Sequence, residues 1–144
     1  MKKLHINKKK KKNLILLVVI FAALILIIFI SIEMNKKNKL KKSLEFLEAG
    51  KIAFANKNYE DAIRNLKISI KFNPNNYETY NFLASSYLMI GQNELAIKPY
   101  RKSISLNPNN SETYRLLGNA YFYINEYELA KGQFKKALEH DPND

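Results

Sequence analysis

Asn73-Pro74-Asn75-Asn76 recurs 34 residues later as Asn107-Pro108-Asn109-Asn110, and Asp141-Pro142-Asn143 stands 34 residues further on. A fixed period of this length predicts one supersecondary unit that is repeated. The residue before a proline is pushed out of helical geometry, so each Asn-Pro or Asp-Pro step marks the end of a helix. The sequence therefore divides into three units, 43–76, 77–110 and 111–144.

The aligned units carry the same residue types in register. An aromatic residue stands at the fourth position, a small residue at the eighth, alanine at the twentieth, a large apolar residue at the twenty-fourth and a small residue at the twenty-seventh. In that order, the sets are Phe46, Tyr80, Tyr114; Gly50, Ala84, Gly118; Ala62, Ala96, Ala130; Leu66, Tyr100, Phe134; and Ser69, Ser103, Ala137. The small residues predict places where two helix backbones approach closely.

The apolar spacing predicts two amphipathic helices in each unit, separated by a polar break. Tyr80, Leu83, Ala84 and Tyr87, for example, share one face of a helix. Pro99 lies inside a predicted helix, where it removes a hydrogen bond and is expected to kink the chain. The predicted pairs are 43–56 with 59–72, 77–89 with 93–106, and 111–124 with 127–140.

The repeated pattern resembles the tetratricopeptide repeat, a helix-turn-helix unit of this length. The resemblance covers about 102 of the 144 residues without an insertion. Ala49 and Ala53 depart from it, because they replace larger family residues in the first unit. The resemblance implies an all-α fold of three tandem repeats stacked as an α-solenoid.

Residues 14–32 form a second feature, in which only Ser31 is polar and sixteen residues are Leu, Ile, Val or Phe. At about 1.5 Å per residue, this stretch spans close to the roughly 30 Å of bilayer hydrocarbon. Its insertion free energy is on the order of −5 to −10 kcal/mol before end effects. The stretch therefore predicts a transmembrane helix.

A cleaved secretory signal is the alternative for this stretch. Such a signal has an apolar core of about 7 to 15 residues followed by a small-x-small site. Ser31-Ile32-Glu33-Met34 offers no such site, and this favours an uncleaved anchor. The predicted organisation is a basic tail (1–13), a transmembrane helix (14–32), a basic linker (33–42) and a repeat domain (43–144).

The basic charge of the chain belongs to its first part. Residues 1–42 contain twelve Lys and one Glu, whereas residues 43–144 carry no net charge. The repeat domain therefore lacks the positive field that attracts nucleic acid, and we expect no nucleic acid partner. Seven Lys precede the apolar stretch and five follow it, which favours a cytoplasmic N-terminus and extracytoplasmic repeats by the positive-inside rule.

The residue inventory argues against an enzyme. There is no cysteine, and neither His5 nor His140 has a partner at metal-ligand or triad spacing. None of the four glycines forms a phosphate-binding loop. We therefore expect no catalytic residue, no metal and no cofactor. His140 stands where the earlier units have Phe72 and Leu106, which is typical of a more polar terminal repeat.

The family resemblance implies a concave groove, lined by the first helix of each pair, that binds a peptide or protein segment. It points to the fifth, ninth, twelfth and thirteenth positions of each unit. Asn side chains there can bind a peptide backbone, and Arg115 can bind a carboxylate. The alternative is that the polar members are solvated side chains only. The candidate groove residues are Lys51, Asn81, Ser85, Met89, Arg115, Asn119, Phe122 and Tyr123, with Leu47, Phe54, Ala55 and Leu88 at the remaining positions.

The carboxylate clamp of co-chaperone tetratricopeptide domains is absent. Its Lys, Asn and Arg positions correspond to Leu47, Lys51, Phe82, Glu112 and Leu116. The sequence thus predicts a membrane-anchored scaffold that binds a protein partner in its groove. The alternative is a structural subunit of an envelope complex that self-associates through its last repeat, where Leu138 stays apolar.

Overall fold

The computed structural model describes residues 8–141 and contains helices but no strand within that range. The first seven residues of the basic tail, and Pro142 of the repeating proline period, lie outside the described residues. The helix ends agree with the predicted pairs to within one residue, except that α1 begins at Lys8. The helices are α1 (Lys8–Ala55), α2 (Tyr59–Phe72), α3 (Tyr77–Met89), α4 (Asn93–Leu106), α5 (Ser111–Tyr123) and α6 (Tyr127–His140).

The chain divides into two compact units, the first ending at Asn38 and the second beginning at Lys39. In the first unit, every described side chain of the apolar stretch 14–32 is exposed. By length and composition, Lys10–Ala55 is the one helix of the described residues that could cross a membrane, a criterion that a signal sequence also meets. Ser31 donates its hydroxyl hydrogen bond to the Ile27 carbonyl at 2.9 Å, within the same helix.

The core of the second unit is built from the repeated small and large positions. Ala62, Ala96 and Ala130 are buried, as are Leu66 and Tyr100. A Cβ atom added at Gly50 would lie 2.7 Å from Leu66 Cγ, and one at Gly118 would overlap the Phe134 ring. The eighth position is therefore small because the large side chain of the twenty-fourth position lies against it. At Gly50 and Gly118 the close contact is thus with a side chain, whereas the prediction was an approach of two backbones.

The turn between the two helices of each pair has the same backbone conformation in all three repeats. Its fifteenth position is left-handed, with φ values of 59° at Lys57, 74° at Gly91 and 64° at Asn125. The following N–H then donates to the carbonyl five residues earlier, as in a Schellman cap. These bonds are Asn58 to Ala53, Gln92 to Tyr87 and Glu126 to Tyr121, each 2.9 Å long.

The asparagine that ends the Asn-Pro-Asn-Asn segment is a helix cap. Asn76 Oδ1 accepts a hydrogen bond from the Thr79 N–H at 3.3 Å, and Asn110 Oδ1 accepts one from the Thr113 N–H at 2.9 Å. Such caps satisfy a donor that the first turn of a helix leaves unpaired. The segment therefore ends one helix at its proline and begins the next at its last asparagine.

The serine at the twenty-seventh position joins the two helices of its pair. Ser69 Oγ donates to the Ser43 carbonyl at 2.8 Å, and Ser103 Oγ donates to the Tyr77 carbonyl at 3.0 Å. Both serines are fully buried. The third repeat has Ala137 at this position, so this bond is limited to the first two repeats.

Helix α4 retains its helical assignment through Pro99. Proline removes the hydrogen bond that its N–H would have donated to the Leu95 carbonyl. Leu95 is 54% exposed. The kink expected at Pro99 stays a prediction.

Candidate peptide-binding groove

A cavity of about 480 Å³ lies where the first helices of the three pairs meet. Its wall is mostly apolar and aromatic, with a few polar side chains. Phe54 and Phe82 meet there edge to face, with ring centroids 5.5 Å apart. The lining residues are Phe54 of α1; Tyr77, Glu78, Asn81, Phe82, Ser85, Leu88 and Met89 of α3; Tyr100 of α4; Asn110 of the preceding loop; and Glu112 and Leu116 of α5.

The floor of the cavity carries a hydroxyl pair. Tyr100 has no solvent-exposed surface, and its hydroxyl lies 2.9 Å from Ser85 Oγ. Burial raises the pKa of Tyr100 well above its usual value, and the nearby Glu112 carboxylate also raises this pKa. Tyr100 therefore stays neutral at physiological pH and its hydroxyl group fixes the Ser85 side chain.

Asn81 connects the second and third repeats. Its Nδ2 donates to Thr113 Oγ1 at 2.8 Å, and its Oδ1 is 3.1 Å from the same hydroxyl. Thr113 is fully buried. The amide still has a second N–H and further acceptor capacity for a ligand. Its orientation is set by the neighbouring repeat, so Asn81 presents a fixed amide at the cavity wall.

Ion pairs surround the two carboxylates of the wall. Lys51 Nζ lies 2.9 Å from Glu78 Oε1 and 3.2 Å from Glu48 Oε1. The hydrogen bond with Glu78, followed by that with Glu48, raises the pKa of Lys51. Arg115 pairs with Glu112, three residues earlier on α5. Both predicted basic ligands thus already bind carboxylates of this surface.

The structure brings some of the predicted groove residues together and separates others. Asn81, Ser85 and Met89 line the cavity, while Lys51 and Arg115 each contact a carboxylate of its wall. Asn119 is half-buried and is not among the lining residues. Phe122 and Tyr123 are exposed, and Phe122 lines a different cavity beside α6.

Leu47 is a correction to the predicted groove positions. It is 2% exposed and belongs to the core, whereas Asn81, at the same position of the second repeat, lines the cavity. Among the remaining positions, Phe54 and Leu88 line the cavity, whereas Ala55 does not.

Several lining residues were missed from the sequence. Phe82 and Leu116 occupy the sixth position of their repeats, which is not one of the four predicted groove positions, and Tyr100 belongs to a second helix. A signal existed for the first two, since both are large apolar residues next to a predicted ligand position.

Charge is unequally divided between the two sets of helices. The first helices, counted from Ser43, carry four carboxylates and two cations: Glu45, Glu48, Glu78 and Glu112, with Lys51 and Arg115. The second helices carry nine cations and five carboxylates: Arg64, Lys67, Lys71, Lys98, Arg101, Lys102, Lys131, Lys135 and Lys136, with Glu60, Asp61, Glu94, Glu128 and Glu139. From Ser43 onward the first helices are thus net negative, whereas the part of α1 that directly precedes Ser43 carries Lys39, Lys41 and Lys42.

His140 packs against an aromatic ring of its own repeat. The His140 ring stacks on Tyr114 with centroids 5.2 Å apart. Within residues 8–141, no group of three His, Cys, Asp or Glu side chains is placed to bind a metal ion. The cavity therefore offers apolar contact and hydrogen bonds to a ligand.

Comparisons with known proteins agree with this architecture. Residues 84–124 match a model described as TPR repeat, and residues 111–144 match a model described as tetratricopeptide repeat. No curated protein sequence matches the chain at a significant level.

Solved structures of tetratricopeptide domains superpose on most of the chain. The first such domain of Spaghetti (RPAP3), bound to the HSP90 peptide SRMEEVD, is 26% identical, with a TM-score of 0.71, over 73% of this chain and 83% of its own. The Sgt2 domain from Aspergillus fumigatus is 28% identical, with a TM-score of 0.66, over 70% and 67% of the two chains. The Arabidopsis OM64 domain is 24% identical, with a TM-score of 0.72, over 74% and 88%, and shows the fold alone. The matched residues are therefore tetratricopeptide repeats, and the helical stack that they complete is a tetratricopeptide solenoid.

Proposed function

We propose that this chain is a single-pass, membrane-anchored scaffold whose repeat domain binds a segment of another protein and performs no chemistry of its own. The observation that carries this proposal is the cavity of about 480 Å³ formed by the first helices of all three repeats. Cavities of roughly 300–1,000 Å³ with apolar walls and a few fixed polar groups are typical ligand sites. A peptide segment is a suitable occupant, since it supplies both apolar side chains and backbone hydrogen-bonding groups.

The fixed polar groups of the wall support this assignment. Ser85 is oriented by Tyr100, and Asn81 is oriented by Thr113. Groups held in place before binding lower the ordering cost of the complex. The Spaghetti domain, which is bound to an HSP90 peptide, supports a peptide as the class of ligand.

The anchor is assigned to residues 14–32. Exposed apolar side chains in a continuous run of this length are costly in water and favourable in a bilayer. Within a bilayer, polar groups must be satisfied inside the segment. The Ser31 hydroxyl meets this requirement through the Ile27 carbonyl, and the helical backbone meets it for the main chain.

The orientation that we propose places the N-terminus in the cytoplasm and the repeats on the other side. It rests on the lysines that flank residues 14–32, seven before and five after. Protease added to intact cells or spheroplasts tests it. Digestion of the repeats is expected, and their survival until the membrane is opened would reverse the orientation.

Site-specific photocrosslinking in the native membrane tests the groove. A photoreactive residue at Met89, which lines the cavity and is 56% exposed, is expected to capture a protein partner. The same residue at Arg101, exposed on α4, is the matched control and is expected to give no such product. Phe82→Ala is expected to abolish capture while circular dichroism shows a retained helical fold. Equal capture from Met89 and Arg101 contradicts the groove assignment.

Self-association is a second candidate, favoured by an apolar surface at the last pair. A cavity of about 510 Å³ there is lined by Phe122, Tyr127 and Phe134, among others, and Leu138 is 50% exposed. The described residues leave this surface uncovered. Because the chain has no cysteine, Leu138→Cys introduces a single thiol for crosslinking in membranes. A crosslinked dimer that forms with Leu138→Cys but not with Leu95→Cys is expected under this alternative, and a monomer in both argues against it.

A further inference from the structure

We infer that the groove selects a partner segment that combines apolar anchor residues with lysine or arginine, and that it rejects an acidic segment. This inference rests on the proposed function, because it specifies the chemistry of the ligand for the same cavity. The inferred ligand differs from the peptide SRMEEVD bound by the Spaghetti domain, because that peptide is acidic and contains two Glu and one Asp.

The first argument is the charge of the cavity wall. Glu78 and Glu112 are the charged residues of the lining, and no Lys or Arg is among the lining residues. Lys51 contacts Glu78 and Arg115 contacts Glu112, but neither of these cations lines the cavity itself. A ligand in the cavity therefore meets carboxylate oxygens, which accept hydrogen bonds and favour cations.

The second argument is the balance of the neighbouring charges. One ammonium group, Lys51, lies between two carboxylates, Glu48 and Glu78, so this cluster keeps a net negative charge. Glu112, the other carboxylate of the wall, pairs with Arg115, so the five charged groups Glu48, Glu78, Glu112, Lys51 and Arg115 together keep one negative charge. Complementary charge steers a partner and suppresses partners of the wrong sign.

The third argument is the apolar area. Phe54, Phe82 and Leu116 are large apolar residues of the wall, and the two phenylalanine rings meet edge to face. Burial of large apolar side chains supplies most of the free energy of such complexes, and charged residues near the rim set the choice among partners. The partner segment is thus amphipathic, with apolar residues toward Phe82 and cations toward the two carboxylates.

Three fluorescent peptides test this inference on the full chain in micelles of an uncharged detergent. All three carry leucine at every third or fourth position, and the remaining positions are Lys in the first, Gln in the second and Glu in the third. Fluorescence anisotropy is expected to give the tightest binding for the Lys peptide and the weakest for the Glu peptide. The difference is expected to shrink as salt is raised, because salt screens exposed charges.

Charge-neutralising variants connect the preference to the groove. Glu78→Gln and Glu112→Gln are each expected to weaken the Lys peptide on the order of threefold, which is typical of one exposed ion pair. Both variants are expected to leave the Gln peptide unchanged. Glu60→Gln on α2 has the same charge change at an exposed site away from the cavity and is expected to change nothing.

The outcomes separate this inference from the proposed function. The charge preference is overturned if the Glu peptide binds at least as tightly as the Lys peptide. If that binding is also lost in Phe82→Ala, the peptide still occupies the groove, and the proposed function stands. Failure of all three peptides to bind overturns the inference. If the photoreactive residue at Met89 also captures no partner in membranes, both the inference and the proposed function are wrong.

Discussion

Ile25 and Leu95 are equally exposed, at 53% and 54%, yet they belong to regions with different chemistry. Ile25 lies in a run of nineteen residues in which only Ser31 is polar, whereas the exposed residues nearest to Leu95 on α4 are Glu94 and Lys98. Isolated exposed apolar side chains are normal on folded proteins, but large continuous patches mark contact with a partner or a membrane. The comparison shows that the continuity of apolar surface distinguishes the two regions, and exposure of single residues does not.

Charged substitutions in the two regions give the largest expected difference. Each Lys at the centre of a membrane helix costs about 2.5 to 3.5 kcal/mol, so Ile25→Lys with Ile28→Lys removes about 5 to 7 kcal/mol of insertion free energy. We expect most of the double variant to leave the membrane fraction after carbonate extraction. The matched pair Leu95→Lys with Leu129→Lys, at exposed sites of the repeats, is expected to stay in the membrane. Equal behaviour of the two pairs would contradict the anchor.

Leucine truncation distinguishes the same regions by folding stability. Leu66 is fully buried beside Gly50, and Leu66→Ala is expected to lower the free energy of unfolding by about 2 to 5 kcal/mol. Leu26→Ala removes the same atoms from the exposed stretch and is expected to leave the unfolding of the repeats unchanged. Thermal unfolding of the full chain in micelles, followed by circular dichroism, measures both. A shared loss of stability would show that the two regions fold together.

Glycine substitutions test the close packing that only the repeats contain. Gly118→Ala places a Cβ against Phe134 and is expected to cost about 1 to 3 kcal/mol. Nothing lies within 4 Å of a Cβ added at Gly132, so Gly132→Ala is expected to stabilise α6 by up to about 1 kcal/mol. Urea unfolding of residues 39–144, a compact unit, gives both values. If both substitutions stabilise the domain, the eighth position does not need a small residue for packing.

A helix cap gives the smallest expected effect. Asn110→Ala removes the acceptor for the Thr113 N–H and is expected to cost about 1 kcal/mol. Asn109→Ala, at the exposed residue before it, is the control and is expected to change stability little. The same urea titration measures this pair. An equal effect of both would place the stabilisation in the loop as a whole.

The helix boundaries could be predicted because the same local signals recur at equivalent positions of the repeats. Pro74 and Pro108 end helices, and the polar breaks coincide with left-handed residues at Lys57, Gly91 and Asn125. These signals depend on backbone geometry within a few residues of the chain, which a sequence displays directly.

The polar contacts of the groove could not be predicted in the same way. The sequence predicts Asn81 to be a ligand-binding or solvated side chain, but its amide bonds Thr113, 32 residues away. The repeat pattern predicts only small residues at Ser69 and Ser103, whereas their hydroxyls bond carbonyl groups 26 residues earlier. The partner of each group is set by the stacking of helices, and a residue type alone does not specify it.

The left-handed turn at the fifteenth position has a consequence for the length of the molecule. Lysine, glycine and asparagine all adopt it with φ between 59° and 74°, so the turn does not require glycine. The segment 77–110 begins and ends at equivalent positions of the repeat. We therefore expect a gene with that segment duplicated in tandem to encode a longer solenoid, whose groove gains one more helix.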